Sequence, residues 1–462
     1  MSVSRRKFLT LAGVSAAGVT MVSPLEAFYA RVANGQVANG IGYGPLSPKL
    51  PENAAELQGF VYQGIDFGTT PLLDLPPGFN YTAISITGQP MNDGGRVPAL
   101  HDGMAAFPGA NNTTILVRNH EVGALGSNPA VTPVRYDQLG GGTTTLVIGP
   151  DRRVRSQYAS LGGTIRNCAG GPTPWGSWVT CEENFSVGPT GLRHGYNFEV
   201  PASAAIQVAN PVPLKAMGRF NHEAVAVEPD TGWVYQTEDR GDSCFYRFTP
   251  NQKGNLQSGG VLEALKITDS RAANVEAATG SANTSTGYLG LKNVPLSVTW
   301  VKIDDVDPVA DTVRIEARSK GAARFSRGEG AWYGNGLAYF VCSNGGDARV
   351  GQVFAYKSNP NDPTTGTLTL VVEALANGVL AAPDNICVAP FGDLFLCEDG
   401  SGTEYVVGVN KQGELYRFAT NVLNDSEFAG SCFSPDGKTM FVNIQTPGIT
   451  LAIWGPWSRK RA

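Results

Sequence analysis

The chain has 462 residues, a formal net charge of −5, only 16% charged residues, 57 glycines and 30 prolines. This balance lacks the basic surface that nucleic-acid binding requires. Many turn-formers with few charges argue for an all-β architecture rather than a helical one.

The N-terminus reads Ser4-Arg5-Arg6-Lys7-Phe8-Leu9, followed by an apolar run to Val22. A charged start and a short apolar stretch make an export signal, and paired arginines before Phe-Leu indicate the twin-arginine route. Residues 1–30 are therefore expected to be a signal read by the twin-arginine translocase, leaving a periplasmic or extracellular protein. That route carries folded proteins, often with a cofactor already in place. No later stretch approaches the roughly 20 apolar residues of a membrane span. Residues 31–60 are rich in Gly, Asn and Pro and read as a linker or wrapping arm. Residues 61–462 are expected to form one domain, and the protein to be a monomer. Seven cysteines at wide spacing show neither a C-x-x-C knuckle nor a disulfide framework, and no pairing is assigned.

A pattern then recurs. Six strand-like apolar runs each end in polar or acidic residues: 113–121, 175–183, 233–239, 337–344, 394–399 and 439–445. Each follows a shorter run that begins with polar residues: 102–106, 164–169, 221–227, 327–332, 384–388 and 430–434. Most are followed by a third run, the fifth at 414–418. Six repeats of short antiparallel strands predict a six-bladed β-propeller with inserted segments. Residues 251–319, between the third and fourth repeats, are expected to hold outer strands and an insertion. The turn Asp304-Asp305-Val306-Asp307 within it reads as a solvated acidic turn rather than a calcium site.

In such a blade the start of the inner strand and the end of its neighbour lie at one face. The polar clusters sit at those two places. One pocket is thus expected to collect Glu121, Cys181, Glu182, Glu183, Glu223, Glu238, Asp239, Glu329, Glu398 and Asp399. So many carboxylates cannot ionise together without compensation, and cations provide it. Hard cations such as calcium take six to eight oxygens, and the Cys181 sulfur favours a softer metal. Arg166 and Arg327 begin inner strands. A guanidinium there pairs with a structural carboxylate or faces a substrate oxyanion such as phosphate. His120 and His222 alternate away from their Asn and Glu neighbours and read as packing residues. These parts suit metal-assisted hydrolysis. A calcium-dependent lactonase or esterase, or a calcium-stabilised binding propeller, is the alternative.

The twin-arginine start, Arg118-Asn119-His120-Glu121, the block 162–184, Phe220-Asn221-His222-Glu223-Ala224, Glu238-Asp239 and Arg327-Gly328-Glu329-Gly330 resemble the PhoX-type alkaline phosphatases. The resemblance implies a propeller with a central iron (Fe3+) and calcium cluster that hydrolyses phosphomonoesters outside the cytoplasm. It implies Cys181 as an iron ligand beside Glu182, Glu329 as a metal ligand and Arg327 as the phosphate contact. Either Glu223 or Glu238 fills a further ligand position. Glu121, Glu398 and Asp399 complete the expected metal set; Arg166 reads first as the partner of a structural carboxylate and is carried as a second substrate contact.

Overall fold

The computed structural model describes residues 41–126 and 128–457. The expected export signal lies outside them. Among the described residues the fold is all-β, with α-helices only at Ala54–Leu57 and Val313–Ser319. None is long and apolar enough to cross a membrane.

The strands form a propeller-like arrangement of antiparallel meanders. Inner strands run at His101–Pro108, Asn167–Pro172, His222–Val227, Gly328–Gly334, Pro383–Val388 and Phe428–Phe433. Each packs against the inner strand of the next meander, and the last packs against the first. Each also pairs with a second strand: Thr114–His120, Ser177–Glu182, Val234–Glu238, Leu337–Cys342, Leu394–Glu398 and Thr439–Ile444.

Hydrogen bonding does not delimit six equal sheets. Meanders three and four merge into one nine-stranded sheet, because Leu296–Lys302 pairs with Thr365–Glu373. That outer strand comes from residues 251–319, so the expected insertion bridges two repeats. In the fifth meander the third strand is Tyr405–Val409, and the expected run at 414–418 lies in the fourth, Leu415–Asn421.

The N-terminal portion is built into the sheets. Asn80–Ile86 pairs with Ile449–Trp454 and completes the last meander. Ser47–Lys49 and Leu73–Leu75 extend the fifth. Tyr43 lies in an apolar core with Phe79, Phe395, Phe418 and Trp457, and its hydroxyl donates to the Trp457 carbonyl at 3.1 Å. Edge-to-face aromatic pairs add about 0.5–1.5 kcal/mol each beyond burial. Tyr43 meets Phe79 and Trp457 in this way, at 5.0 and 5.8 Å. Residues 41–57 therefore close the ring by packing, not as a free linker.

The axis is nearly filled. Trp332 packs against four of the apolar cores between meanders. Beside it remains a cavity of about 20 Å³, lined by Met104, Trp178, Ile386 and small residues. That is about the room one water needs.

Candidate metal centre

All six inner strands share one local device. Each breaks register with its second strand near its start, two residues opposing one. The breaks fall at His101/Met104, Asn167/Gly170, His222/Val225, Gly328/Ala331, Pro383/Ile386 and Ala429/Cys432. Such a bulge re-aims a side chain out of the strict alternation of the strand. The first extra residue is Asp102, Cys168, Glu223, Glu329 and Asp384 in turn, and Gly430 in the sixth. The next residue is small in most repeats because adjacent bulges abut. A Cβ on Gly103 would stand 2.6 Å from the Ala169 Cα, and one on Gly330 would stand 2.6 Å from the Asp384 carbonyl oxygen.

Bulges leave carbonyls outside the ladder, and side chains of neighbouring repeats take them. Asn119 Nδ2 donates to the carbonyls of Cys168 and Ala169 at 3.1 and 2.7 Å, with its Oδ1 held by Trp178 Nε1 at 2.8 Å. Asn443 donates to the Asp102 carbonyl at 2.6 Å, and Thr237 to that of Glu329. Two residues before the bulge residue, Leu100, Arg166, Arg327 and Ala382 adopt positive φ of 47°, 47°, 51° and 43°. Non-glycine residues held there carry ~1–3 kcal/mol of strain each, and such strain clusters at functional sites.

The result is a chain of donors. Asp102, Glu121 and Cys168 form one group, Cys168, Glu183 and Glu223 a second, and Glu223, Glu329 and Asp384 a third. Within each, one donor atom per residue lies within 4.8 Å of the others. Cys168 joins the first two groups and Glu223 the last two.

Burial pushes the carboxyls of Asp102, Glu223, Glu329 and Asp384 well above the usual range. Nearby carboxylates push them further: Glu121 acts on Asp102, Asp384 on Glu223, Asp239 on Glu329 and Asp102 on Asp384. Glu183 is pushed up to about 7 by burial, against the opposing pull of Arg166. Glu427, just before the sixth inner strand, is raised by burial with Asp102 and Asp384 adding to it. The buried Cys168 thiol is raised in the same way. Both oxygens of Glu223 are buried and lack any hydrogen-bond partner. A buried carboxylate without a partner is costly unless it meets a cation. The donors fit one: six carboxylates and a thiol converge, and at Glu223 in their midst protein hydrogen bonds run out.

Two arginines rim the cluster. Arg166 Nη2 bonds Glu121 at 2.6 Å and Glu183 at 2.5 Å, with the side chain 45% exposed. Arg327 holds Asp239 through Nε and Nη2 at 2.8 and 3.0 Å and Glu329 at 3.0 Å, with its side chain 41% exposed. Gln445 bridges Asp102 and Glu121 at 3.0 and 2.8 Å.

Residues 60–148 and 136–448 match the family described as alkaline phosphatase PhoX. The chain belongs to that family. PhoX proteins are metal-dependent alkaline phosphatases, and this chain is a phosphoric monoester hydrolase. Among solved structures, PhoX of Pseudomonas fluorescens, in complex with vanadate, a transition state analogue, is similar over 90% of this chain and 98% of its own, with 17% identity and a TM-score of 0.64. A gluconolactonase of Xanthomonas campestris covers 90% and 98% at 12% identity and a TM-score of 0.40. A virginiamycin B lyase of Staphylococcus aureus covers 81% and 99% at 13% and 0.38. No curated protein matches.

Against the expected PhoX site, the structure gathers Glu121, Glu223 and Glu329, and puts Asp399, Arg166 and Arg327 around them. Four expected ligands lie elsewhere. Cys181 follows the strand's alternation into an apolar core with Val179, Phe220 and Tyr246, so its thiol faces no carboxylate. Glu182 points to the other side, where His194 and the backbone N–H groups of Ile165, Gly195 and Tyr196 bind it. Glu238 accepts from Tyr246 at 2.7 Å and pairs with Arg314 at 3.3 Å. Glu398 accepts from the N–H groups of Ala381 and Tyr405 at 2.7 and 3.1 Å. Asp399 is an exposed rim residue that raises the Asp384 carboxyl. Asp102, Cys168, Asp384 and Glu427 were absent from the expected pocket, and Glu183 was expected in the pocket but not among its ligands.

His120 and His222 bind the carbonyls of Ala99 and Gly218 at 2.9 Å and face away from the donors. In the acidic turn, Asp304 pairs with Lys320 and Asp307 with Arg193.

Proposed function

We propose that this PhoX member is an exported phosphomonoesterase whose axial donors hold iron and calcium. The observation that carries this reading is the orphaned Glu223 carboxylate, between a group containing the Cys168 thiol and a group of carboxylates alone. Sulfur suits iron and all-oxygen donors suit calcium. Asp102, Glu121, Cys168 and Glu183 would hold iron, with Glu223 shared. Glu329 and Asp384 would hold calcium with it. Bound metals supply charge neutralisation of the phosphate and a water of lowered pKa.

Arg327 and Arg166 are the substrate-binding residues in this reading, and Arg327 is also the catalytic one. Arg327 Nη1 has no protein partner among the described residues, and neither do Arg166 Nε and Nη1. A phosphoryl oxygen can therefore add to each guanidinium without displacing its anchoring carboxylates. Asp239 and Glu329 fix the plane of Arg327; Glu121 and Glu183 fix Arg166. Fixed donors aimed at the transferring group stabilise its charge without reorganisation.

The cyclic packing of inner strands supports a six-bladed count. The Arg5-Arg6 signal supports the twin-arginine translocase as a transient partner and a periplasmic or extracellular location. We take the mature protein to be a monomer with no nucleic-acid partner and no stable membrane span. Prolonged chelation should abolish hydrolysis of a chromogenic phosphomonoester at alkaline pH. Restoring iron with calcium should recover it, and calcium alone should not. Full activity in metal-stripped protein would overturn the reading.

A further inference from the structure

Glu182 and His194 belong to a buried polar relay that the reaction described above does not use. The side chains of Asp137, His194 and Glu182 are fully buried. His194 Nδ1 bonds Glu182 Oε1 at 2.7 Å, and Nε2 bonds Asp137 Oδ2 at 3.3 Å. Hydrogen bonding to Glu182 raises the His194 pKa against the effect of burial. An imidazole between two carboxylates donates from both nitrogens when protonated. The far end is anchored as well: Asp137 Oδ1 accepts from the Gln138 N–H at 2.6 Å and from Thr190 at 2.8 Å. Gly188 makes room for the relay. A Cβ there would stand 2.1 Å from Asp137 Oδ2 and 2.7 Å from His194 Nε2.

The near end reaches the site. Glu182 Oε1 also accepts from the N–H of Ile165 at 3.1 Å. Ile165 directly precedes Arg166, whose backbone sits at φ 47°. Glu183, which Arg166 binds, directly follows Glu182, and its N–H donates to the Arg166 carbonyl at 2.9 Å. A left-handed arginine at the rim needs its backbone held from outside, because its own conformational preference opposes the turn. The relay supplies that hold from the buried side.

We propose that the Asp137–His194–Glu182 relay is a positioning device for Arg166, fixing the turn so that the guanidinium presents its free edge to the substrate phosphoryl group. This rests on the reading of Arg166 as a phosphate contact. The relay side chains contact none of the clustered donor side chains; Glu182 is joined to the cluster only through the backbone of Glu183, so metal content is read beside KM to separate that route from the one through Arg166.

The test is a double-mutant cycle on metal-loaded protein, read as KM for a chromogenic phosphomonoester and inhibition by inorganic phosphate. His194→Gln should raise KM and the phosphate inhibition constant about five- to tenfold, with metal content unchanged and a smaller effect on kcat. Asp137→Asn keeps the shape and removes a charge, so it should shift both constants the same way by less. It serves if His194→Gln fails to fold. In an Arg166→Ala background neither change should move KM further, since the residue they position is gone. Additive effects there would overturn the proposal and leave the relay purely structural. An unchanged KM in Arg166→Ala itself would instead overturn the reading of Arg166 as a phosphate contact.

Discussion

Replacing Glu223 by glutamine should strip bound metal and lower kcat/KM by at least about a hundredfold, yet raise the thermal stability of the chelated protein at pH 8. Even partners one bond removed from a metal cost 10–100-fold when lost, and Glu223 stands where two donor groups meet. The stability effect has the opposite sign. Without metal, burial raises the Glu223 carboxyl well above its unfolded value. An unfolded glutamate ionises near about pH 4.3. Above that pH the folded chain retains a proton that the unfolded chain has released, so stability falls as pH rises toward the folded-state pKa. The slope is about 1.4 kcal/mol per pH unit for each such proton. Asp102, Glu329 and Asp384 act in the same direction, as does Glu183 up to about pH 7. Thermal unfolding of chelated wild-type protein from pH 5 to 8 should therefore show a falling Tm, and metal should flatten the curve. Glu223→Gln removes one of these protons and should make the chelated slope shallower. A chelated Tm that rises with pH would contradict the burial argument.

Arg327→Ala should cost about a hundred- to a thousandfold in kcat/KM for phosphomonoesters while leaving metal bound. Loss of one preorganised donor to a developing oxyanion costs about 2.7–4 kcal/mol. The Asp239 and Glu329 carboxylates lose a partner, but Glu329 keeps the Ser343 hydroxyl at 2.6 Å. Arg327→Lys should recover little, because an ammonium cannot hold Asp239 with two donors and still offer a third edge. Steady-state kinetics with metal analysis on each variant decides this. Lactone hydrolysis requires no guanidinium, so unimpaired turnover in Arg327→Ala would mark lactonase or esterase chemistry instead.

The sequence carried the architecture and the neighbourhood of the site further than its individual ligands. Alternating runs with acidic ends located nearly every inner and second strand, and the repeat pattern pointed to a shared axial face. What alternation could not give was the bulge. Strict period two puts Cys181 and Glu182 on opposite faces of their strand; Cys181 packs against the next repeat and Glu182 is taken by His194 from the loop of its own, so neither reaches the axis. Glu183 reaches it because the ladder ends at Glu182. Cys168 reaches it because two residues oppose one at Asn167/Gly170. A signal for this lay in the repeats. Asp102-Gly103, Cys168-Ala169, Glu223-Ala224 and Glu329-Gly330 each set a donor before a small residue, at the start of a first strand. Aligning these four repeats by that pair would have selected Cys168 over Cys181 and added Asp102; Asp384, which precedes Asn385, lacks the signal. Glu238 and Glu398 were misread for the opposite reason: they are the last residues still inside their ladders. Tyr246 lies in the expected third run of its repeat, but Arg314 and the Ala381 and Tyr405 amides come from segments that no repeat pattern places.

The most direct measurement is the iron content and phosphomonoester turnover of Cys168→Ala beside Cys181→Ala. The account predicts that Cys168→Ala loses both iron and activity. Cys181→Ala should keep both, with a stability loss of about 1 kcal/mol for a small core cavity. The reverse pattern, iron and turnover lost with Cys181 and retained without Cys168, would contradict the bulge-built centre.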